Sequence, residues 1–236
     1  QRFAAKRQYA LSRGMDAADE GGKTLNNHGV RTYQWSDGKT LTVGKKTLVM
    51  GILNVTPDSF SDGGKWNTLD RALFHAEQMV AEGADLIDIG AESSRPGFAP
   101  VSAAEEMERL LPFLERLLPE ITVPVSVDTF KADTAKAALQ AGAHIINDIW
   151  GLQYAAEPGR MAAVAAAFAA PVVAMHNQVG TDYTGDIIAS MQAFFQETLR
   201  QADRAGLSRE KLILDPGIGF GKTAAANLQV MKRLAE

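Results

Sequence analysis

The 236-residue chain contains no cysteine. That excludes disulfides, thiolate metal sites and a cysteine nucleophile, so any metal must be held by oxygen or imidazole, which favours magnesium-type chemistry. It also lacks an apolar run of about eighteen residues, and its longest Ala-rich stretch, 161–173, is too short and too weakly apolar to span a bilayer. Positive charge is not in excess either. Lys and Arg number 24 against 28 Asp and Glu, and the interspersed signs leave no basic stripe for nucleic acid. Gln1, Arg2 and Phe3 are followed by no apolar core, and Asp16, Asp19 and Glu20 argue against a transit peptide. The expectation is a cytoplasmic protein with neither membrane nor nucleic-acid partners.

What is present is the profile of an ordinary globular protein, 46% hydrophobic and 22% charged, long enough for one large domain or two small ones. Residues 1–30 show no clear period, and 21–29 read as loop. Two alternating runs, 31–35 and 39–43, flank the turn Ser36-Asp37-Gly38, which predicts a hairpin. From Thr47 onward, short β-branched runs alternate with amphipathic segments of helical length. The strands are expected at 48–53, 86–89, 125–127, 145–146, 172–175 and 212–214. Helices are expected at 69–82, 103–118, 132–141, 160–169, 187–205 and 224–236. Ser102 with Glu105 forms a capping box for the second helix, and Gly83 and Gly142 stand where helices should stop.

Six βα units fit an open doubly wound sheet or part of a (β/α)8 barrel. The strand ends decide between them, because each finishes on or next to a polar group: Asn54, Asp88 with Glu92, Asp128, Asn147 with Asp148, His176 with Asn177, and Asp215. An open sheet binds ligand at one switch point, whereas a barrel brings all its carboxyl ends to one mouth. The expected fold is therefore α/β, a (β/α)8 TIM barrel with six units visible, over 47–236, preceded by an extension with a short hairpin over 1–46. At roughly 32 residues per unit, the remaining two would need roughly 60 more, so the last two strands are expected to be missing.

Three glycines precede Lys222 in the run Asp215-Pro216-Gly217-Ile218-Gly219-Phe220-Gly221-Lys222. The spacing fits neither the nucleotide P-loop, which needs four residues between its glycines, nor the dinucleotide pattern. A lone Asp at a strand end is often a helix cap, but company weakens that reading. A carboxylate can accept two adjacent N–H donors in bidentate fashion, and an Asn amide can complement mixed donors and acceptors; Asp215, Asp128 and Asn147 supply such a set. His176, His75 and His144 are more often structural than catalytic in such places, and Trp66 and Trp150 pack more often than they stack on substrate.

The segment Met50-Gly51-Ile52-Leu53-Asn54-Val55-Thr56-Pro57-Asp58-Ser59-Phe60-Ser61-Asp62-Gly63-Gly64 resembles the first signature of the dihydropteroate synthase family. Asp88–Gly97 resembles its second loop, with Ala91 where Gly is usual and Ser94 where Thr is usual. Val125–Thr129, Ile146–Asp148, Met175–Asn177 and Leu214–Lys222 match further family segments in the same order. The family's Ser-Arg-Lys block and its final Arg-x-His block are not found.

The resemblance implies a C–N bond-forming transferase of folate biosynthesis, a sulfonamide target. It condenses 6-hydroxymethyl-7,8-dihydropterin diphosphate with 4-aminobenzoate to give 7,8-dihydropteroate and diphosphate. It implies that Asp128, Asn147 and Asp215 hold the pterin beside Met175, with Asp128 and Asp215 the catalytic carboxylates. Asn54 takes one position on Mg2+, the implied cofactor. Ser94 and Arg95 contact the phosphates or the aminobenzoate, and Phe220 and Lys222 border the second pocket, over which loops 55–66 and 91–100 close. A homodimer is implied for the full-length protein. The alternatives are a corrinoid-type pterin-binding methyltransferase domain and a truncated chain that binds pterin without turnover.

Overall fold

The computed structural model describes residues 29–55, 65–92 and 101–236, with side chains in its first helix from residue 68 onward. Two short strands, β1 (Arg31–Gln34) and β2 (Thr40–Val43), pair antiparallel around the expected turn, where Gly38 adopts φ +88°. Then follow β3 (Met50–Asn54), α1 (Lys65–Ala81), β4 (Leu86–Gly90), α2 (Ala103–Leu117), β5 (Val125–Asp128), α3 (Ala132–Gln140), β6 (Ile145–Asp148) and α4 (Arg160–Ala167). The chain continues through β7 (Val172–Met175), α5 (Ile187–Ala205), a 3-10 turn over Arg209–Lys211, β8 (Leu212–Asp215) and α6 (Ala224–Lys232). The six strands from β3 to β8 are all parallel and stand in sequence order, which is the order of a (β/α)8 barrel with six of its units in place. No described helix is long and apolar enough to cross a membrane.

Element boundaries shift by a few residues from those expected. Five of the six barrel strands run one to two residues further, each taking in its terminal polar residue or glycine; β7 ends at Met175 as expected. α4 stops short because Ala169 is left-handed at φ 47°. At α2, the Ser102 hydroxyl accepts from Glu105 N at 3.2 Å, the forward half of the expected box. The Glu105 carboxylate instead pairs with Arg109. Gly83 and Gly142 both adopt positive φ just after their helices.

Strand alternation divides the barrel residues between two faces. Outward-facing Leu53, Ile87, Ile89, Val125 and Val127 pack under α1 and α2, while Ile146, Val172, Ala174 and Leu212 pack under the later helices. Gly51 belongs to this outer face: a side chain there would meet Met79 Sδ at 2.9 Å and Ile87 Cδ1 at 3.0 Å, so glycine permits the close approach of α1. Inward-facing Met50, Leu86, Ile145, Val173 and Ile213 form one cluster with Tyr33, Leu41 and Val43 of the hairpin. The hairpin thus stoppers the amino end of the barrel.

Hydrogen bonds fasten the stopper at several points around the rim. Tyr33 donates to Glu210 O at 2.8 Å, and Trp35 Nε1 donates to His144 O at 3.2 Å. His144, buried edge-on to Trp35, accepts from Val125 N at Nδ1 and pairs with Asp37 through Nε2 at 2.9 Å. Burial holds its pKa below the ordinary value despite Asp37. His144 is structural, joining hairpin to barrel.

Candidate active site

Two to four residues further along the strands, the same inward face turns polar. Asn54, Gly90, Asp128 and Asn147 stand side by side in register across β3 to β6. Met175 and Asp215 are register partners on β7 and β8. Beneath this row lies Asp88, whose Oδ2 accepts from Asn147 Nδ2 at 2.9 Å. That bond fixes the amide and turns its carbonyl oxygen away from Asp88. Asp88, Asn147 and Asp215 are buried, while Asn54 lies exposed at the mouth. A Cβ built on Gly90 would lie 3.5 Å from Asp128 Oδ2 and 3.6 Å from Asn54 Oδ1, so the missing side chain leaves a gap between those groups.

The turn after β8 is held by its glycines and by one lysine. Gly217, Gly219 and Gly221 all have positive φ, and a Cβ at Gly217 would stand 2.0 Å from His176 O, so no side chain fits. Asp215 Oδ1 accepts from Gly217 N at 2.8 Å, which ties the carboxylate to the turn it precedes. Lys222 is not an exposed cap. Its ammonium is buried and donates to Gly217 O and Phe220 O at 3.0 Å and to His176 O at 3.3 Å, which occupies its three donors. Burial lowers its pKa to about 8, against the attraction of Asp215. Any bond from Lys222 to a substrate must exchange one of these carbonyls. Phe220 sits half-buried on the same turn; Ser94 and Arg95 lie outside the described residues, as does most of both expected mobile loops.

Two strand-end groups that sequence places near the mouth face elsewhere. Asp148, one residue after Asn147, points outward and accepts from Trp150 N at 2.8 Å and Leu152 N at 2.7 Å, bracing a turn in which Gly151 and Leu152 have positive φ. Complete burial raises its pKa to about 6, against those two N–H groups. His176 packs among Tyr183, Phe194 and Phe195, with its Nδ1 bonded to nothing. Burial, with Lys222 adding to it, lowers its pKa to about 3. It is a neutral core residue.

A buried ion cluster beside the mouth is absent from the sequence reading. Lys131 pairs with Glu92 and, at 3.0 Å, with Glu106, which also accepts from Thr134 Oγ1 at 3.0 Å. Burial alone would lower the lysine's pKa, but the two carboxylates outweigh it and hold the pKa above its ordinary value. Glu92 Oε1 accepts from Val101 N at 3.1 Å, so the cluster pins both chain ends that flank 93–100. One signal was available: Lys131 is the N-cap of α3 and its side chain makes no cap bond. A cation is unfavourable there, which hints that it serves another partner.

Among the described residues, no three His, Asp or Glu side chains converge as a metal cage. The exposed Asn54 amide oxygen is a single hard donor of the type magnesium would accept.

A partly filled (β/α)8 barrel with buried carboxylates and an amide at its carboxyl mouth defines a pterin-binding enzyme, and the chain belongs to the pterin binding enzyme family, which it matches over residues 50–236. The relatives within that family are dihydropteroate synthases. That of Bacillus subtilis is 53% identical over 194 residues, covering 82% of this chain and 67% of the relative. The Clostridium difficile dihydropteroate synthase, solved in the presence of pteroic acid, superposes with a TM-score of 0.76 at 48% identity, covering 80% of this chain and 71% of that one. The Xanthomonas albilineans enzyme with 4-aminobenzoic acid gives 0.77 at 43% identity, covering 84% and 71%.

Proposed function

We propose that the chain carries the dihydropteroate synthase reaction, joining 6-hydroxymethyl-7,8-dihydropterin diphosphate to 4-aminobenzoate. The observation that carries this is the inward polar row at the barrel mouth, to which β5, β6 and β8 each bring an acceptor. Asp215 accepts from the ring's amino and N–H groups in a buried setting where an unmatched donor would be costly. Asn147, held by Asp88, presents its carbonyl oxygen to a further ring donor.

The arylamine nitrogen is a weak nucleophile, so departure of the leaving group is the hard step. The exocyclic C–O bond breaks with its electron pair passing to diphosphate, the ring spreads the positive charge, and the half-buried carboxylate of Asp128 stabilises it electrostatically. The amine then forms the C–N bond and gives up a proton to solvent. Asn54 would hold Mg2+, which when bound neutralises charge on the diphosphate. Ser94, Arg95, Phe220 and Lys222 complete the proposed substrate contacts. The proposal extends to a cytoplasmic homodimer of the full-length protein, which sedimentation would test.

Incubation with pterin diphosphate, 4-aminobenzoate and Mg2+ should release diphosphate and form 7,8-dihydropteroate. Pterin binding without product under any Mg2+ concentration would refute catalysis. The relatives do not favour the methyltransferase or non-catalytic readings.

A further inference from the structure

We propose that Gly90 is a specificity-determining position whose bare backbone underlies the bond that breaks. The inference rests on the synthase reading and on Asn54 and Asp128 serving opposite ends of the substrate. Asn54, Gly90 and Asp128 are register partners on three adjacent strands. A Cβ at Gly90 would lie 3.5 Å from Asp128 Oδ2 and 3.6 Å from Asn54 Oδ1, so the two functional groups stand no more than about 7 Å apart with Gly90 between them. A ring seated against Asp128, Asn147 and Asp215, with its diphosphate near Asn54, must carry its linking methylene across that middle strand.

Two observations single out the absence of a side chain as what matters at Gly90. Its φ is not among the positive values, so the backbone there is open to any residue. A Cβ would also meet nothing closer than 3.5 Å, which is ordinary contact for the fold. Contrast Gly51, one face over, where the nearest atoms would be at 2.9 and 3.0 Å. Neither backbone geometry nor packing requires glycine at 90. What a methyl group would take up is the space between Asn54 Oδ1 and Asp128 Oδ2, through which the methylene and its leaving oxygen pass.

The test compares wild-type protein with Gly90→Ala by thermal melting, by titration with bare 6-hydroxymethylpterin, and by titration and turnover with its diphosphate ester plus Mg2+. The melting temperature should move by no more than about 3 °C. Affinity for the bare pterin should stay within about threefold, while ester affinity or kcat falls at least about tenfold. Equal losses for both ligands, or no loss for either, overturn the inference and leave the synthase reading standing. Wild-type protein that binds no pterin overturns both. Should the variant not fold, the wild type labelled with 13C at glycine α-carbons decides: the exocyclic methylene protons of the bound ester should show a nuclear Overhauser contact to Gly90 Hα, and its absence overturns the inference.

Discussion

The two ends of the barrel interior share five strands and lie two to four residues apart along them. At the amino end, Met50, Leu86, Ile145, Val173 and Ile213 meet the hairpin and form core. At the carboxyl end, Asn54, Gly90, Asp128 and Asn147 stand in register across β3 to β6, and Met175 and Asp215 follow one step higher on β7 and β8. One or two pleat repeats separate stability from chemistry. Changes below should therefore cost folding free energy and changes above should cost binding.

The largest effect is expected at the lower end. Ile145 is fully buried beneath the hairpin, and Ile145→Ala should cost about 2–5 kcal/mol of stability through lost transfer energy and a residual cavity. Urea unfolding would show it, with the pterin affinity of the still-folded protein unchanged. A matching loss of affinity would erase the proposed division between the two ends.

At the upper end, Asp215→Asn keeps the acceptor for Gly217 N but sets an amide donor against the ring's own donors. Pterin affinity should fall by about 1–3 kcal/mol, roughly 5- to 150-fold, with little change in melting. Calorimetric titration giving equal affinities would remove Asp215 from the site.

His176 separates the ends by pH. Its pKa in the fold is about 3 against 6.5 when exposed, so the stability it lends is present above about pH 6.5 and drains away as the pH falls toward 3. At pH 5 the loss is about 2 kcal/mol. Asp148 works the other way: its pKa of about 6 lies above the ordinary 3.8, so it favours the fold more as the pH falls from 7 to 5. The two shifts therefore oppose each other over that range. His176→Phe should gain about 2 kcal/mol on wild type at pH 5 relative to pH 7, and urea titrations at both pH values showing no such gain would mean the ring is protonated in the fold.

The smallest effect on bare pterin belongs to Asn54→Ala, which should bind that ligand as wild type does while aminobenzoate binding in the presence of Mg2+ and diphosphate weakens. Aminobenzoate binding that never depended on Mg2+ would contradict the role given to Asn54.

Much of this was legible in the sequence because hydrophobic period and turn residues are local. All six strands, all six helices and the hairpin stand where the pattern puts them, give or take a few residues. Facing direction was not legible at adjacent polar residues. Asn147 and Asp148 both end β6, yet one lines the interior and the other braces an outer turn; only the register with β5 and β7 distinguishes them. The partners of Lys131 were not legible for a similar reason, since Glu106 and Glu92 lie 25 and 39 positions away and meet it only once three βα units have packed. For Lys222, placed by resemblance at the border of the second pocket, the three carbonyls that hold its ammonium appear only once the glycine turn folds over it.

The hairpin that stoppers the barrel also carries a consequence for how the chain reaches this state. Tyr33 and Arg31 bond to residues 177 to 181 positions later, at the start of β8. On a ribosome, β1 and β2 emerge long before those partners exist, and their apolar face must wait uncovered through the synthesis of five strands. Such distant pairings slow folding and expose sticky surface meanwhile. Assembly of the barrel floor is thus a late event, and the earliest-made segment is among the last to find its place.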